Sequence, residues 1–370
     1  MIIDTNAAFT INRSPTALTP DQRRAVMESQ PKFGDVFTDH MAVAQYTPEA
    51  GWHDCEITAL APFQLHPATS VLHYGQAIFE GLKAYAMPDG GISLFRPAMN
   101  AQRFALSAAR MAMPQLPEDL FLASLKALVQ VERDWVPKQN GSSLYLRPMM
   151  FSRDARLMTK PSASYTYAVI ACPVGNYFPN GVAPVTVWIS HEYIRAARGG
   201  TGEAKFAGNY AASYAGQAEA AAHGCDQVVW LDAIDRKGIE EMGGMNMYFV
   251  TKRDGKTTLV TPKASGSLLK GVTRDSLFTL AGDLGYAFEE RRIDIDEWRE
   301  GCRSGLITEA FACGTAAVIV PIGRAKSSAD EDIVVNNGEA GPVAMQLRER
   351  LLAIQHGAAP DPHGWLMPVV

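Results

Sequence analysis

Residues 175–184, near the middle of the chain, contain two prolines, two glycines and two asparagines. Proline fixes φ and removes a backbone donor, glycine and asparagine favour turns, and no regular element runs through such a stretch. A chain of 370 residues is long for one hydrophobic core, so the stretch reads as a connector between two domains. This predicts a small N-terminal α+β domain over 1–175, an interdomain loop over 176–184 and a larger domain over 185–370.

The first fifty residues read as irregular, with a turn at 33–37 entering a short strand. Pro88-Asp89-Gly90-Gly91 separates two strand-like runs, a hairpin signal. Pro97 opens a helix predicted to reach about residue 113, and Pro117 opens a second that Pro137 stops. Aromatic and β-branched residues over 143–152 and 165–174 predict two strands. Past the connector, strands are predicted at 185–191 and 227–231, and Arg253-Asp254-Gly255-Lys256 marks a second hairpin. Helices are predicted at 273–284, 296–304 and 342–355, and strands over 306–322 are broken by Gly314-Thr315.

Hydrophobic residues make up 47% of the chain and charged residues 20%, ordinary for a globular protein. A net charge of -5 gives no basic surface for nucleic acid or anionic lipid. The five cysteines form no Cys-x-x-Cys pair and the eight histidines no pair at ligand spacing, so neither disulfides nor a metal centre is expected. The run 310–322 is too short to span a bilayer and contains Gly314 and Pro321, and residues 1–25 lack the apolar core of a signal peptide. A soluble, cytoplasmic protein is the expectation.

Gly199-Gly200-Thr201-Gly202-Glu203-Ala204-Lys205-Phe206-Ala207-Gly208-Asn209-Tyr210 surrounds one lysine with four glycines and an asparagine, ahead of an alanine-rich helix predicted over 211–222. Glycines let a backbone turn sharply and approach a ligand closely. A phosphate-binding loop would need Gly-Lys-Ser/Thr, whereas Ala204 and Phe206 flank Lys205. A lysine so held can act as an amine nucleophile toward a carbonyl cofactor, or it is a solvated lysine on a glycine-rich surface loop.

An aldehyde cofactor would also need a phosphate cradle, an acid at its ring nitrogen and a donor near its phenolic oxygen. Glu240-Glu241 lies beside glycines after a buried strand, Val272-Thr273 opens a helix whose amides suit an anion, Gly314-Thr315 offers a glycine-hydroxyl turn, and Tyr210 follows the lysine by five residues. Separately, each also reads as a loop acid pair, a capped helix, a turn or a packed ring. Ser267-Leu268-Leu269-Lys270 fits the Ser-x-x-Lys pattern of penicillin-recognising hydrolases, but Ser-Asp-Asn and Lys-Thr-Gly are missing.

Seven motifs then fall in register: Phe79-Glu80-Gly81-Leu82-Lys83-Ala84-Tyr85, Leu94-Phe95-Arg96-Pro97, Tyr145-Leu146-Arg147-Pro148, Cys172-Pro173-Val174-Gly175, Lys205-Phe206-Ala207-Gly208-Asn209-Tyr210, Glu241-Met242-Gly243-Gly244-Met245-Asn246 and Gly314-Thr315-Ala316. In that order, from about residue 33 onward, the chain resembles the branched-chain amino acid aminotransferases of the fold type IV pyridoxal phosphate enzymes. The resemblance implies an α+β, two-domain fold, a small N-terminal domain and a pseudo-barrel that binds the cofactor. It implies ping-pong transfer of an amino group between Leu, Ile or Val and 2-oxoglutarate, and a homodimer.

Residue by residue, it implies that Lys205 joins the cofactor aldehyde, Glu241 meets the pyridine nitrogen and Tyr210 the phenolic oxygen. Arg103, Val272, Thr273, Gly314 and Thr315 would hold the phosphate. The Thr315-Ala316 turn would receive the substrate α-carboxylate, and Phe33, Tyr74, Phe79, Tyr145, Arg147 and Tyr177 would line the pocket. Ala317 and Val320 stand where some members carry a redox Cys-x-x-Cys pair, so that regulation is not expected. A D-amino acid aminotransferase or aminodeoxychorismate lyase of the same fold is the near alternative, and a non-catalytic ligand-binding relative a more distant one.

Overall fold

The computed structural model describes residues 8–29, 31–139, 141–175, 181–328 and 332–370. The chain divides into two compact units. The first comprises Met1–Tyr177, Ala204–Ala207 and Ile354–Val370, and the second Phe178–Glu203 and Gly208–Ala353.

The first unit is built on the strands Ser143–Ser152 and Tyr165–Val174, which pair antiparallel from Ser143 opposite Val174 to Ser152 opposite Tyr165. Both are nearly continuous buried runs, because the sheet extends on either side of them and is covered by helices. Outward from Tyr165–Val174 come His40–Thr47, Gly51–Ala59 and Thr10–Ile11; outward from Ser143–Ser152 come Leu82–Ala86, Ile92–Phe95 and Leu366–Pro368. Ala77–Phe79 also pairs with Ser143–Ser152. The helices Pro97–Arg110 and Glu118–Val131 bury Phe104 and Phe121 against Tyr167, with ring centroids 5.5–6.2 Å apart. The Tyr167 hydroxyl exchanges a 2.9 Å hydrogen bond with Ser124 Oγ, so this aromatic core leaves no polar group stranded there.

Two expectations are corrected here. The first fifty residues are not irregular throughout: they contain the helix Pro20–Glu28 and the strand His40–Thr47. Thr19 and Gln22 form a capping box at the start of that helix, but none of its residues is buried, so it has no apolar stripe for periodicity to detect. The segment 185–370 does not lie wholly in the second unit either, since Ile354–Val370 and Ala204–Ala207 belong to the first. Strand pairing accounts for the C-terminal return: Leu366, Met367 and Pro368 lie opposite Phe95, Leu94 and Ser93, and Trp365 packs edge-on to Phe95.

In the second unit the strands Met245–Arg253, Ile307–Gly314, Val318–Lys326, Val185–Ile189, Gln227–Leu231 and Ile239–Met242 each pair with the next, and the last pairs back to the first. Six strands thus close on themselves and leave no open edge among them. Lys256–Pro262 and Ala287–Arg291 extend the sheet beyond Met245–Arg253. The core here is aliphatic with large rings, Phe249 meeting Trp298 of the helix Ile295–Ser304 at 5.3 Å.

The helix Pro342–Gln355 begins on a buried acid. Glu309, 3% exposed, accepts from Val343 N at 3.0 Å and Ala344 N at 2.9 Å, which satisfies orphan amides and complements the dipole. Gly341 lies so close that an added Cβ would overlap the Glu309 carboxyl. Gly341→Ala is therefore expected to lose about 2 kcal/mol through overpacking and a weakened cap. A lowered urea midpoint checks this, and an unchanged midpoint would show that the acid moves aside freely.

Candidate functional site

Within the first unit, the chemistry gathers on the strands Ala77–Phe79 and Ser143–Ser152. Lys205 is pinned through its backbone: its amide donates to Ser107 Oγ at 2.9 Å, and its carbonyl accepts from Phe79 N at 3.0 Å. Phe206 bridges to Ile78. The lysine ammonium Nζ lies 5.0 Å from the centroid of the Phe79 ring. Arg147 shares that ring, its guanidinium carbon 4.7 Å from the Phe79 centroid and 5.3 Å from that of Tyr145.

Tyr145 and Arg147 are two residues apart on one strand and therefore on one face. Arg147 Nη2 donates to the Tyr145 hydroxyl at 2.9 Å, which leaves that hydroxyl's own proton available. Arg147 Nε is buried and has no acceptor among the described residues. A guanidinium fixed over two rings, with a dry N–H unsatisfied, is suited to an incoming carboxylate. Phe33 packs edge-on to Tyr145 at 4.9 Å and is 47% exposed. Gly81 lies so close that an added Cβ would overlap the Tyr145 hydroxyl.

Glu80, quoted in a motif but given no role by sequence, proves central. It is fully buried and accepts from Arg103 Nε at 2.7 Å, Arg103 Nη2 at 2.8 Å, Asn100 Nδ2 at 2.7 Å and Gly81 N at 3.1 Å. Burial pushes its carboxyl up, but the Arg103 guanidinium, with the Lys205 ammonium and the Asn100 amide, outweighs burial and holds it below the usual range. Arg103 is thus oriented by a bidentate pair. Tyr74 ends the short helix Ser70–Tyr74 with its side chain 41% exposed, where Gly75 at φ 64° turns the chain. Tyr177 lies outside the described residues.

In the second unit, Glu241 sits on the strand Ile239–Met242 at 2% exposure. Its Oε1 accepts from Leu269 N at 3.1 Å and Asn246 Nδ2 at 3.2 Å, and its Oε2 lies 2.8 Å from Arg195 Nε. That contact is off the hydrogen-bond line, so it is an ion pair without a directed bond. Arg195 Nη2 donates to Ser267 O at 2.6 Å and reaches Gly202 O at 3.4 Å. Sequence reasoning missed Arg195; its only signal is a cation a few residues before the glycines. Glu240 takes the Ser267 hydroxyl instead, and burial raises its carboxyl.

Thr201 Oγ1 and Asn209 Oδ1 are bonded at 2.6 Å, and Asn209 Nδ2 donates to Thr201 O at 2.8 Å, so the glycine-rich stretch is stitched to the residue preceding Tyr210. Tyr210 lies against Gly244, its ring 3.4 Å from where a Cβ would stand. The expected helix over 211–222 is two pieces, Ala207–Ala211 and Tyr214–Ala222, with Ser213 N and Oγ both donating to Tyr210 O. Val272 and Thr273 are buried at the start of the helix Val272–Asp283, which has no side-chain cap, leaving its positive end suited to an anion. Gly314, Thr315 and Ala316 stand at the turn between the strands Ile307–Gly314 and Val318–Lys326. Among the described residues, no His/Cys/Asp/Glu cluster could hold a metal ion, and no helix is long and apolar enough to cross a membrane.

The amino-transferase class IV family matches residues 77–325. A branched-chain-amino-acid aminotransferase of Mycolicibacterium smegmatis is 51% identical over 359 residues, 97% of each chain. Among solved structures, the Escherichia coli branched-chain amino acid aminotransferase aligns with a TM-score of 0.71 at 27% identity, covering 90% of this chain and 99% of its own. A T.th. branched-chain amino acid aminotransferase with pyridoxamine 5'-phosphate aligns at 0.69 and 28%, covering 89% and 99%. Identity of this order over nearly the whole length, with the family match over residues 77–325, places the chain in the class IV aminotransferases.

Proposed function

We propose that this chain transfers amino groups between branched-chain L-amino acids and 2-oxoglutarate, using pyridoxal 5'-phosphate. The observation that carries the reading is the shared Phe79 ring, with the Lys205 amine 5.0 Å and the Arg147 guanidinium 4.7 Å from its centroid. An amine nucleophile and a carboxylate receptor thus stand against one aromatic ring, which brings both to the same part of the site. The 51% identity to a branched-chain-amino-acid aminotransferase supports the substrate class.

When bound, the cofactor supplies an aldehyde for covalent attachment and an electron sink for the substrate's Cα electrons. The chain supplies the rest. Lys205 Nζ would hold the cofactor covalently through its aldehyde, and the freed amine would serve as the general base for the proton at the substrate Cα. Glu241, ion-paired with Arg195, would meet the ring nitrogen and favour its protonated form. Tyr210 would donate to the phenolic oxygen. The uncapped helix start at Val272-Thr273, with Gly314 and Thr315, would take the phosphate, and Arg103, which the resemblance assigns to the same anion, has its guanidinium plane fixed by Glu80.

The α-carboxylate meets the Thr315-Ala316 turn. Phe33 and Phe79 give the aliphatic side chain an apolar wall, each buried methylene contributing about 0.8 kcal/mol. The side-chain carboxylate of 2-oxoglutarate would be costly there unpaired, and Arg147 Nε with the Tyr145 hydroxyl proton receives it. Exposed Tyr74 is read as completing the site of a second copy in a homodimer. Such an enzyme of amino-acid metabolism is expected in the cytoplasm.

Lys205→Ala should abolish transamination and the cofactor's bound absorbance band while leaving the far-ultraviolet dichroism unchanged; wild-type turnover would sink the assignment. Arg147→Met should weaken the 2-oxoglutarate half-reaction by about 2–5 kcal/mol and the leucine half-reaction far less. Single-turnover rates test this, and equal losses would make Arg147 structural. Sedimentation should find a dimer at assay concentration, and an active monomer would refute the Tyr74 reading.

A further inference from the structure

The strands Ile307–Gly314 and Val318–Lys326 pair with Gly314 opposite Val318, so Thr315, Ala316 and Ala317 alone make the connection. Three-residue hairpin loops are commonly a type I turn followed by a residue in the left-handed region, a place glycine takes without steric cost. Here the left-handed residue is instead Val318, at φ 65°, the strand residue opposite Gly314 that closes the connection. Eight described non-glycine residues have positive φ: Asp54, Arg96, Ala112, Arg236, Asp254, Val318, Asn336 and Asn337. Val318 is the only β-branched one and the only buried one, at 5% exposure.

A β-branched residue pays steric strain in this region, where its allowed basin is also narrow and its χ1 stiff. Burial of its isopropyl group, between Ala317 at 2% and Ile319 at 0% exposure, offsets that strain and removes alternative side-chain positions. The turn is also closed from behind, since a Cβ on Gly314 would stand 3.2 Å from Met245 Cγ. Glycine at position 318 would relieve the strain but open a basin of both hands. The valine therefore trades strain for a single backbone path through Thr315-Ala316-Ala317.

We infer that Val318 is a positioning residue, locking this turn so that the Thr315 and Ala316 amides are held in one direction for the substrate α-carboxylate. The inference rests on the transaminase reading for the identity of that anion, and on the hairpin geometry alone for the locking. Preorganised amides bind an anion without first being ordered, so a loosened turn weakens carboxylate binding and leaves the proton-transfer step at Lys205 alone.

The test uses the holoenzyme and its Val318→Gly and Val318→Ile variants. Hydrogen exchange of the peptide spanning 314–318 should quicken about tenfold in Val318→Gly, as expected for a looser local opening equilibrium, and stay at the wild-type rate in Val318→Ile. The dissociation constant of 4-methylpentanoate, a carboxylate without an amino group, and the KM for leucine should both rise about 5- to 20-fold in Val318→Gly, with kcat within about twofold. Val318→Ala, which keeps the steric cost of left-handed φ but loses the buried isopropyl group that offsets it, should move the same way and serves if the glycine variant fails to fold. Unchanged exchange and unchanged carboxylate affinity in both loosened variants would overturn the inference, as would a fall in kcat with KM unmoved. A wild-type protein that neither binds the carboxylate nor transfers amino groups would instead overturn the transaminase reading, while the exchange comparison would still decide the locking of the turn.

Discussion

A carboxylate at 2% exposure cannot stay charged without partners, and meeting the needs of Glu241 organises the second unit. Leu269 N and Asn246 Nδ2 bind one oxygen, and Arg195 stands at the other. Arg195 then draws in Ser267 O and Gly202 O, while Asn246 Nδ2 also reaches Leu269 O at 2.9 Å. The barrel strand, its hairpin partner, the loop before the helix Val272–Asp283 and the glycine-rich stretch are thus held by one charge pair. Truncating Arg195 would strand a buried anion, so loss of this arginine disturbs all four segments together.

Glu80 plays the corresponding part in the first unit. Its oxygens bind Arg103 from the helix Pro97–Arg110. The adjacent Phe79 amide holds the Lys205 carbonyl, and Glu80 N in turn donates to Pro148 O at 2.7 Å, one residue past Arg147. The lysine, the arginine of the strand and the arginine of the helix are therefore indexed to one short stretch, 79–81. An acid with no assigned contact to substrate sets where Arg103 stands, and the backbone beside it pins the segments that carry Lys205 and Arg147.

Elements with strong local signals were legible in the sequence. Ser143–Ser152, Tyr165–Val174, Gln227–Leu231 and Pro342–Gln355 run as their residue patterns predict, because buried strands and a proline-opened helix carry their cause within themselves. The helix Pro20–Glu28 was not legible, since it buries nothing. Arg195 escaped because its partner lies far along the chain at Glu241, and the return of Leu366–Pro368 to the sheet depends on pairing with equally distant Ile92–Phe95. Val318 escaped for a different reason: valine is a strand former, and nothing local announces that it will sit at φ 65°. The site motifs were legible through resemblance, while the second ring of partners, Glu80, Asn100 and Arg195, follows only from tertiary contact.

Three glycines of the site are explained by close approach and not by flexibility. At Gly81 a Cβ would overlap the Tyr145 hydroxyl, at Gly202 it would overlap Ser267 O, and at Gly271 it would overlap Asn246 Oδ1. None of the three has the positive φ that makes glycine a turn residue. Each abuts a group that also belongs to a network: Tyr145 accepts from Arg147, Ser267 O from Arg195, and Asn246 donates to Glu241. A methyl group at any of them would displace the polar group and loosen the network behind it. Glycine stands at these positions because backbone and polar side chain occupy adjoining space, and the missing Cβ lets a rigid site be built at that separation.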